Sequence, residues 1–203
     1  MQARSRQRDK RDLPDGTWVI PVGRQMPPWV ARGGLACLAW ERAFAQWMHQ
    51  ATVRPSLLIL FQAVSHLGDG LIWYAVFPCV AMWGGKQSTA CLLRLAGMTA
   101  LNLLVYKILK QMTGRPRPFV SCPGIRVCAN VLDEYSFPSG HVLHAVAFTI
   151  VLSAYYPIVV WPLSVFAFLV ACSRVVLGLH YPSDVLMGAA IGALSAWGTL
   201  NLF

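Results

Sequence analysis

Charge is scarce in this chain. Only 12% of its 203 residues are Asp, Glu, Lys or Arg, while 56% are apolar. An average soluble domain carries roughly 25% charged residues, so the shortage excludes an ordinary water-facing surface and points to an integral membrane protein. Acidic residues are the rarest: eight against seventeen Lys and Arg leave a net charge of +9. The six cysteines (Cys37, Cys79, Cys91, Cys122, Cys128 and Cys172) include no Cys-x2-Cys pair, which removes the usual zinc-ligand spacing. Internal repeats and low-complexity tracts are missing, and the N-terminal stretch has no apolar core of signal-peptide type.

What is present is unevenly placed. Residues 1–54 hold nine of the seventeen basic residues, beginning with Arg4, Arg6, Arg8, Lys10 and Arg11. Such an arm suits nucleic acid or anionic lipid. Beside membrane spans it reads as a topology signal or a lipid-surface contact, and no nucleic-acid partner is expected. Residues 1–34, rich in Pro and Gly, read as a poorly ordered arm. Residues 35–50 have helical periodicity but carry Glu41 and Arg42, so they read as a helix lying on the membrane surface, with Trp40 and Trp47 at the interface.

Five apolar spans follow: Pro55–Trp83 (broken at His66-Leu67-Gly68-Asp69-Gly70), Ser88–Leu109, Ser139–Tyr156, Ile158–Leu177 and Ser183–Phe203. The later ones are near the roughly 20 residues that cross a bilayer. The last carries Gly188-x3-Gly192, a spacing for close helix packing. The expected fold is all-α: a multi-pass transmembrane bundle of about five spans plus an N-terminal interfacial helix. Residues 55–203 form the membrane domain and residues 1–54 the arm and surface helix.

Three motifs sit at the span ends: Lys110-x6-Arg117-Pro118, Pro138-Ser139-Gly140-His141, and Ser173-Arg174-x5-His180-x3-Asp184. Going up, down and up returns the chain to one face, so all three are expected to meet there. Lys110, Arg117 and Arg174 suit a phosphoryl clamp, although cations that snorkel at span ends are common. His180, with Asp184 four residues on, can present a free Nε2 lone pair as a nucleophile. Taken alone, the pair reads rather as a histidine and an aspartate capping a helix after Pro182. His141 follows Ser139 and Gly140 at a helix N-terminus, where N–H groups face an anion, and it can protonate a leaving oxygen. His144 reads as packing, Asp69 as a turn residue, and Arg115 and Arg126 carry no assigned role. Cys122 and Cys128 share a short polar loop. A disulfide there would imply an oxidising compartment, and two free thiols are the alternative.

As a set these motifs resemble the signature of the type-2 phosphatidic acid phosphatase superfamily, which includes membrane lipid phosphatases and vanadium haloperoxidases. Every signature position is matched, over about Pro55–Phe203. The resemblance implies a helical core, no metal or other cofactor, and a phosphohistidine intermediate. His180 would be the nucleophile, Asp184 its orienting partner and His141 the acid. Lys110, Arg117, Ser139, Gly140 and Arg174 would bind phosphate. It further implies a bacterial membrane member whose partners are the bilayer and a lipid substrate such as undecaprenyl pyrophosphate, phosphatidylglycerol phosphate or phosphatidic acid. Phosphotransfer at the same site and lipid-phosphate binding without catalysis are the competing functions. The oligomeric state is left open. Expected localisation is the bacterial inner membrane. There the basic arm argues for a cytoplasmic site, whereas the resemblance favours the periplasmic side.

Overall fold

The computed structural model describes residues 11–12, 18–19, 35–131 and 133–202. Two short strands, β1 (Arg11–Asp12) and β2 (Trp18–Val19), pair antiparallel. The rest of the expected disordered arm, 1–34, lies outside the described residues. Among the described residues eight α-helices follow: α1 (Leu35–His49), α2 (Pro55–Leu67), α3 (Leu71–Trp83), α4 (Ser88–Thr113), α5 (Pro118–Ser121), α6 (Gly140–Tyr155), α7 (Val160–Val176) and α8 (Pro182–Leu202). Prolines open α2, α5 and α8, where a missing N–H costs nothing. Gly114, at φ 56°, closes α4 by donating its N–H to the Lys110 carbonyl at 3.1 Å. That stop leaves Lys110 in the last turn, facing the bundle end.

The helical bundle is as expected; the span count is coarser. Among the described residues three helical stretches are long and apolar enough to cross a bilayer: Gly85–Ser121, Pro157–Val176 and Pro182–Leu202. The α2–α3 pair makes a fourth if its 55° bend is counted within one span, and the bend falls at the Gly68-Asp69-Gly70 break. The remaining expected span, α6, has 16 residues, a length of about 24 Å against a hydrocarbon core of about 30 Å. Its apolar run is explained by protein neighbours. Val142, Leu143, Ala145, Phe148 and Val151 are buried among α4, α7 and α8, and Trp73 of α3 packs on Phe148 with centroids 4.8 Å apart.

Outside this core the polarity is inverted relative to a soluble domain. Leu93, Leu104, Trp161, Phe168, Leu194 and Trp197 are exposed, which suits lipid contact. Gly188, Gly192 and Ala196 of α8 face inward. A Cβ on Gly188 would lie 2.5 Å from the Ser139 carbonyl oxygen, and one on Gly192 would strike that of Leu143. Backbone therefore rests on backbone where α8 crosses the first turn of α6, and the second motif is held against the third.

Candidate active site

The site is assembled from helix ends. At the foot of α4, Lys110 Nζ donates to Asp133 Oδ1 at 2.5 Å and to the Tyr135 carbonyl at 2.9 Å. Arg117, the residue before α5, is buried. Its NH2 donates to the same Asp133 oxygen at 2.7 Å, its Nε to the Asp133 carbonyl at 3.1 Å and its NH1 to the Leu179 carbonyl at 2.9 Å. Arg174, in the last turn of α7, donates through NH1 to Ser65 Oγ on α2. The α7–α8 turn folds back through Gly178 at φ 73°, a backbone state that a side chain disfavours. Leu179 and His180 then both donate N–H to the Arg174 carbonyl at 3.0 Å. This turn fixes His180 next to the clamp.

His180 is buried, and its Nε2 lies 3.5 Å from Arg117 NH1. Arginine only donates, so this contact suits the neutral tautomer with the proton on Nδ1 and the lone pair on Nε2. Nδ1 lies 3.7 Å from Asp184 Oδ2, longer than a hydrogen bond. Asp184 Oδ2 accepts from the Tyr181 N–H at 2.8 Å, and Oδ1 accepts from Arg115 NH1 at 2.6 Å. The expected His180–Asp184 pair is thus adjacent but not closed. Ser139 sits one residue before α6 and donates its N–H to the Asp184 carbonyl at 3.0 Å. Gly140 begins the helix and lines the cavity together with His141.

Among the described residues nine buried side-chain nitrogen and oxygen atoms make no hydrogen bond, and three of them are Ser139 Oγ, Arg174 Nε and His180 Nδ1. Buried polar groups are rarely left so, and these three belong to one site. Electrostatics agrees. Burial first, and then the Arg117, Arg174 and Lys110 cations and His141, hold the His180 imidazole well below the ordinary histidine value. Burial pushes the Asp133 carboxyl up, but Lys110 and Arg117 outweigh it and hold it below its ordinary value. A cavity of about 240 Å³ joins Lys110, Asp133, His141 and His180 to an apolar wall that includes Trp73, Phe77 and Phe148.

The chain matches the family model of the PAP2 superfamily over residues 91–203, a stretch that contains all three motifs. The chain belongs to the PAP2 superfamily. Among its PAP2 relatives, decaprenylphosphoryl-5-phosphoribose phosphatase of Mycobacterium tuberculosis is 29% identical over 145 residues, 69% of this chain and 77% of that protein. Undecaprenyl-diphosphatase BcrC of Bacillus subtilis is 30% identical over 139 residues, 68% of this chain and 69% of that one. The fold is similar to that of the transmembrane PAP2 type phosphatidylglycerolphosphate phosphatase from Bacillus subtilis, with TM-score 0.68 and 23% identity over 85% of this chain and 89% of the other. This PAP2 protein is a membrane phosphatase.

The structure brings together every residue named from the motifs. It also adds five to which the motifs gave no role: Ser65, Asp69, Arg115, Asp133 and Glu41. Asp69 lies in the expected turn, but its Oδ1 is 2.5 Å from His141 Nε2. Asp133 bridges two clamp cations. Arg115 joins Asp184 to Glu41 of α1, and Ser65 meets Arg174. None of these contacts has a local spacing. Asp69 stands 72 residues from His141, and the one available signal was a lone acidic residue inside an apolar span. His144 packs edge-on against Tyr106. Cys122 and Cys128 are free thiols, the first buried, so the disulfide alternative falls.

Proposed function

We propose that the protein hydrolyses an isoprenoid (pyro)phosphate or another lipid phosphate through a phosphohistidine at His180. The observation that carries this reading is the cavity, which joins the cation clamp to an apolar wall between α3, α4 and α6. A phosphate can enter the clamp while its chain stays among apolar side chains. The names of the relatives support a polyprenyl chain.

In the proposed reaction Lys110, Arg117 and Arg174 take the non-bridging oxygens, and the Ser139 hydroxyl and the Gly140 N–H add donors. The His180 Nε2 lone pair attacks phosphorus as the bond to the leaving oxygen breaks. His141, held by Asp69, gives that oxygen a proton. Asp184 receives the Nδ1–H of the developing imidazolium. Water then attacks the phosphohistidine, His141 takes its proton back, and inorganic phosphate departs. The catalytic unit is taken as residues 55–203 and residues 1–54 as a separate arm and interfacial helix, of which α1 packs against α7 and α8.

The proposed topology has five crossings. The short α6 crosses inside its ring of neighbours, and the site opens at the periplasmic face of a bacterial inner membrane. Labelling of partly exposed Cys128 by an impermeant thiol reagent in intact cells is the expected result. Labelling only after permeabilisation moves the site to the cytoplasm. For the activity, purified protein in detergent is offered undecaprenyl diphosphate, phosphatidylglycerol phosphate and phosphatidic acid. Vanadate-sensitive phosphate release that survives a chelator is expected. Free phosphate that disappears when a lipid or sugar acceptor is added would instead reveal transfer, and tight binding without release would leave only a lipid-phosphate binder.

A further inference from the structure

Glu41 lies outside the family-matched region, yet it reaches the site. Glu41, Ala45 and His49, spaced four apart, form the buried stripe of α1, whereas Trp40 and Trp47 are 60% and 62% exposed. A carboxylate on such a stripe is costly unless paired. Its partner is Arg115, whose NH2 donates to Glu41 Oε2 at 2.5 Å. The other arm of the guanidinium, NH1, donates to Asp184 Oδ1 at 2.6 Å and Ser183 Oγ at 2.7 Å. The group lies over the Tyr181 ring, 4.3 Å from its centroid. Asp184 Oδ2, 3.7 Å from His180 Nδ1, takes no bond from Arg115. A continuous line of polar groups therefore runs from α1 to His180.

A guanidinium prefers to grip one carboxylate with both terminal nitrogens. Here each nitrogen has its own carboxylate. Without Glu41, NH2 is released, and Asp184 is the remaining carboxylate bonded to Arg115. A two-pronged grip would then claim Oδ2, the oxygen that faces the imidazole. We infer that Glu41 is a positioning residue for catalysis: by occupying one arm of Arg115 it keeps Asp184 Oδ2 free to orient His180. The surface helix is thereby part of the catalytic apparatus. The inference rests on the phosphohydrolase reading above.

The test uses the full chain in detergent, with turnover expressed per orthovanadate-binding site so that unfolded protein is not counted. Glu41→Ala lowers kcat about tenfold and leaves KM and vanadate affinity within about twofold, because the Lys110, Arg117 and Arg174 clamp is untouched. Glu41→Gln, whose amide oxygen still accepts from Arg115, keeps kcat within about threefold of the parent. In an Arg115→Ala background, removal of Glu41 changes kcat by less than about twofold, since the two act through one contact. An unchanged kcat per site in Glu41→Ala overturns the inference. So does a loss that adds in full to that of Arg115→Ala, or a loss of activity matched by loss of vanadate sites. Those results with an active parent sink only this inference, whereas a parent inactive on every lipid phosphate sinks the phosphohydrolase reading and the inference with it.

Discussion

Replacing Asp133 by alanine is expected to tighten binding of phosphate and its analogues. The Asp133 carboxylate shares one oxygen between Lys110 Nζ at 2.5 Å and Arg117 NH2 at 2.7 Å, where a phosphoryl oxygen would sit in the proposed complex. A substrate must displace it. The substitution isolates the carboxylate, because Lys110 keeps the Tyr135 carbonyl and Arg117 keeps the Asp133 carbonyl as partners. A hydrogen bond to a charged group contributes about 1.5–3 kcal/mol. The Asp133 side chain is 38% exposed, so water screens it and the lower end applies. About 1.5 kcal/mol corresponds to roughly tenfold in affinity. Orthovanadate inhibition of lipid-phosphate hydrolysis measures it, and the inhibition constant should fall by about that factor. The two cations hold this carboxyl below its ordinary value even against burial, so it stays ionised and the effect should be flat between about pH 5 and 8. Weaker vanadate inhibition in the variant would refute the reasoning and make Asp133 an organiser of the clamp instead of a competitor for it.

Asp69→Asn removes the charge that holds His141 and should lower kcat about tenfold on lipid substrates. With a p-nitrophenyl leaving group, which needs no proton, the loss should disappear; an equal loss on both would contradict an acid role for His141. Gly188→Ala places a methyl 2.5 Å from the Ser139 carbonyl oxygen. It should cost about 1–3 kcal/mol, seen as a fall in thermal midpoint together with weaker vanadate binding, whereas Gly97→Ala, with open space around it, should change neither. Burial and the neighbouring cations hold His180 well below 6.5, so the acid limb of kcat/KM should not report His180 near that value. Below about pH 6.5 the unfolded chain binds a proton that the folded site refuses, so stability should fall as the pH drops. An imidazole of His180 titrating at 6.5 by NMR would contradict this.

The motif residues were legible because phosphoryl chemistry restricts side-chain type. Lys110, Arg117, Arg174, His141 and His180 could be placed by spacing and by the alternation of helix ends, and they do converge. Their partners were not legible. Glu41 read as an obstacle to membrane crossing, yet it is buried against Arg115, 74 residues away. Asp69 read as a turn residue because the glycines beside it explained it locally. The span count was legible only coarsely, for a related reason. Hydropathy cannot tell a helix facing lipid from one facing other helices, and the apolar sides of α6 are covered by protein. Gly188 and Gly192 were read as close-packing residues, and the structure shows which turns of α6 they meet.

The central claim is that His180 takes the phosphoryl group onto its ring. The most direct measurement mixes the purified protein with a ³²P-labelled lipid phosphate, quenches in alkali, where phosphohistidine survives, and maps the label. The account predicts a transient, vanadate-sensitive label on the peptide containing His180, and neither label nor phosphate release in His180→Ala. Undiminished phosphate release by His180→Ala, or a label that maps elsewhere, would contradict it.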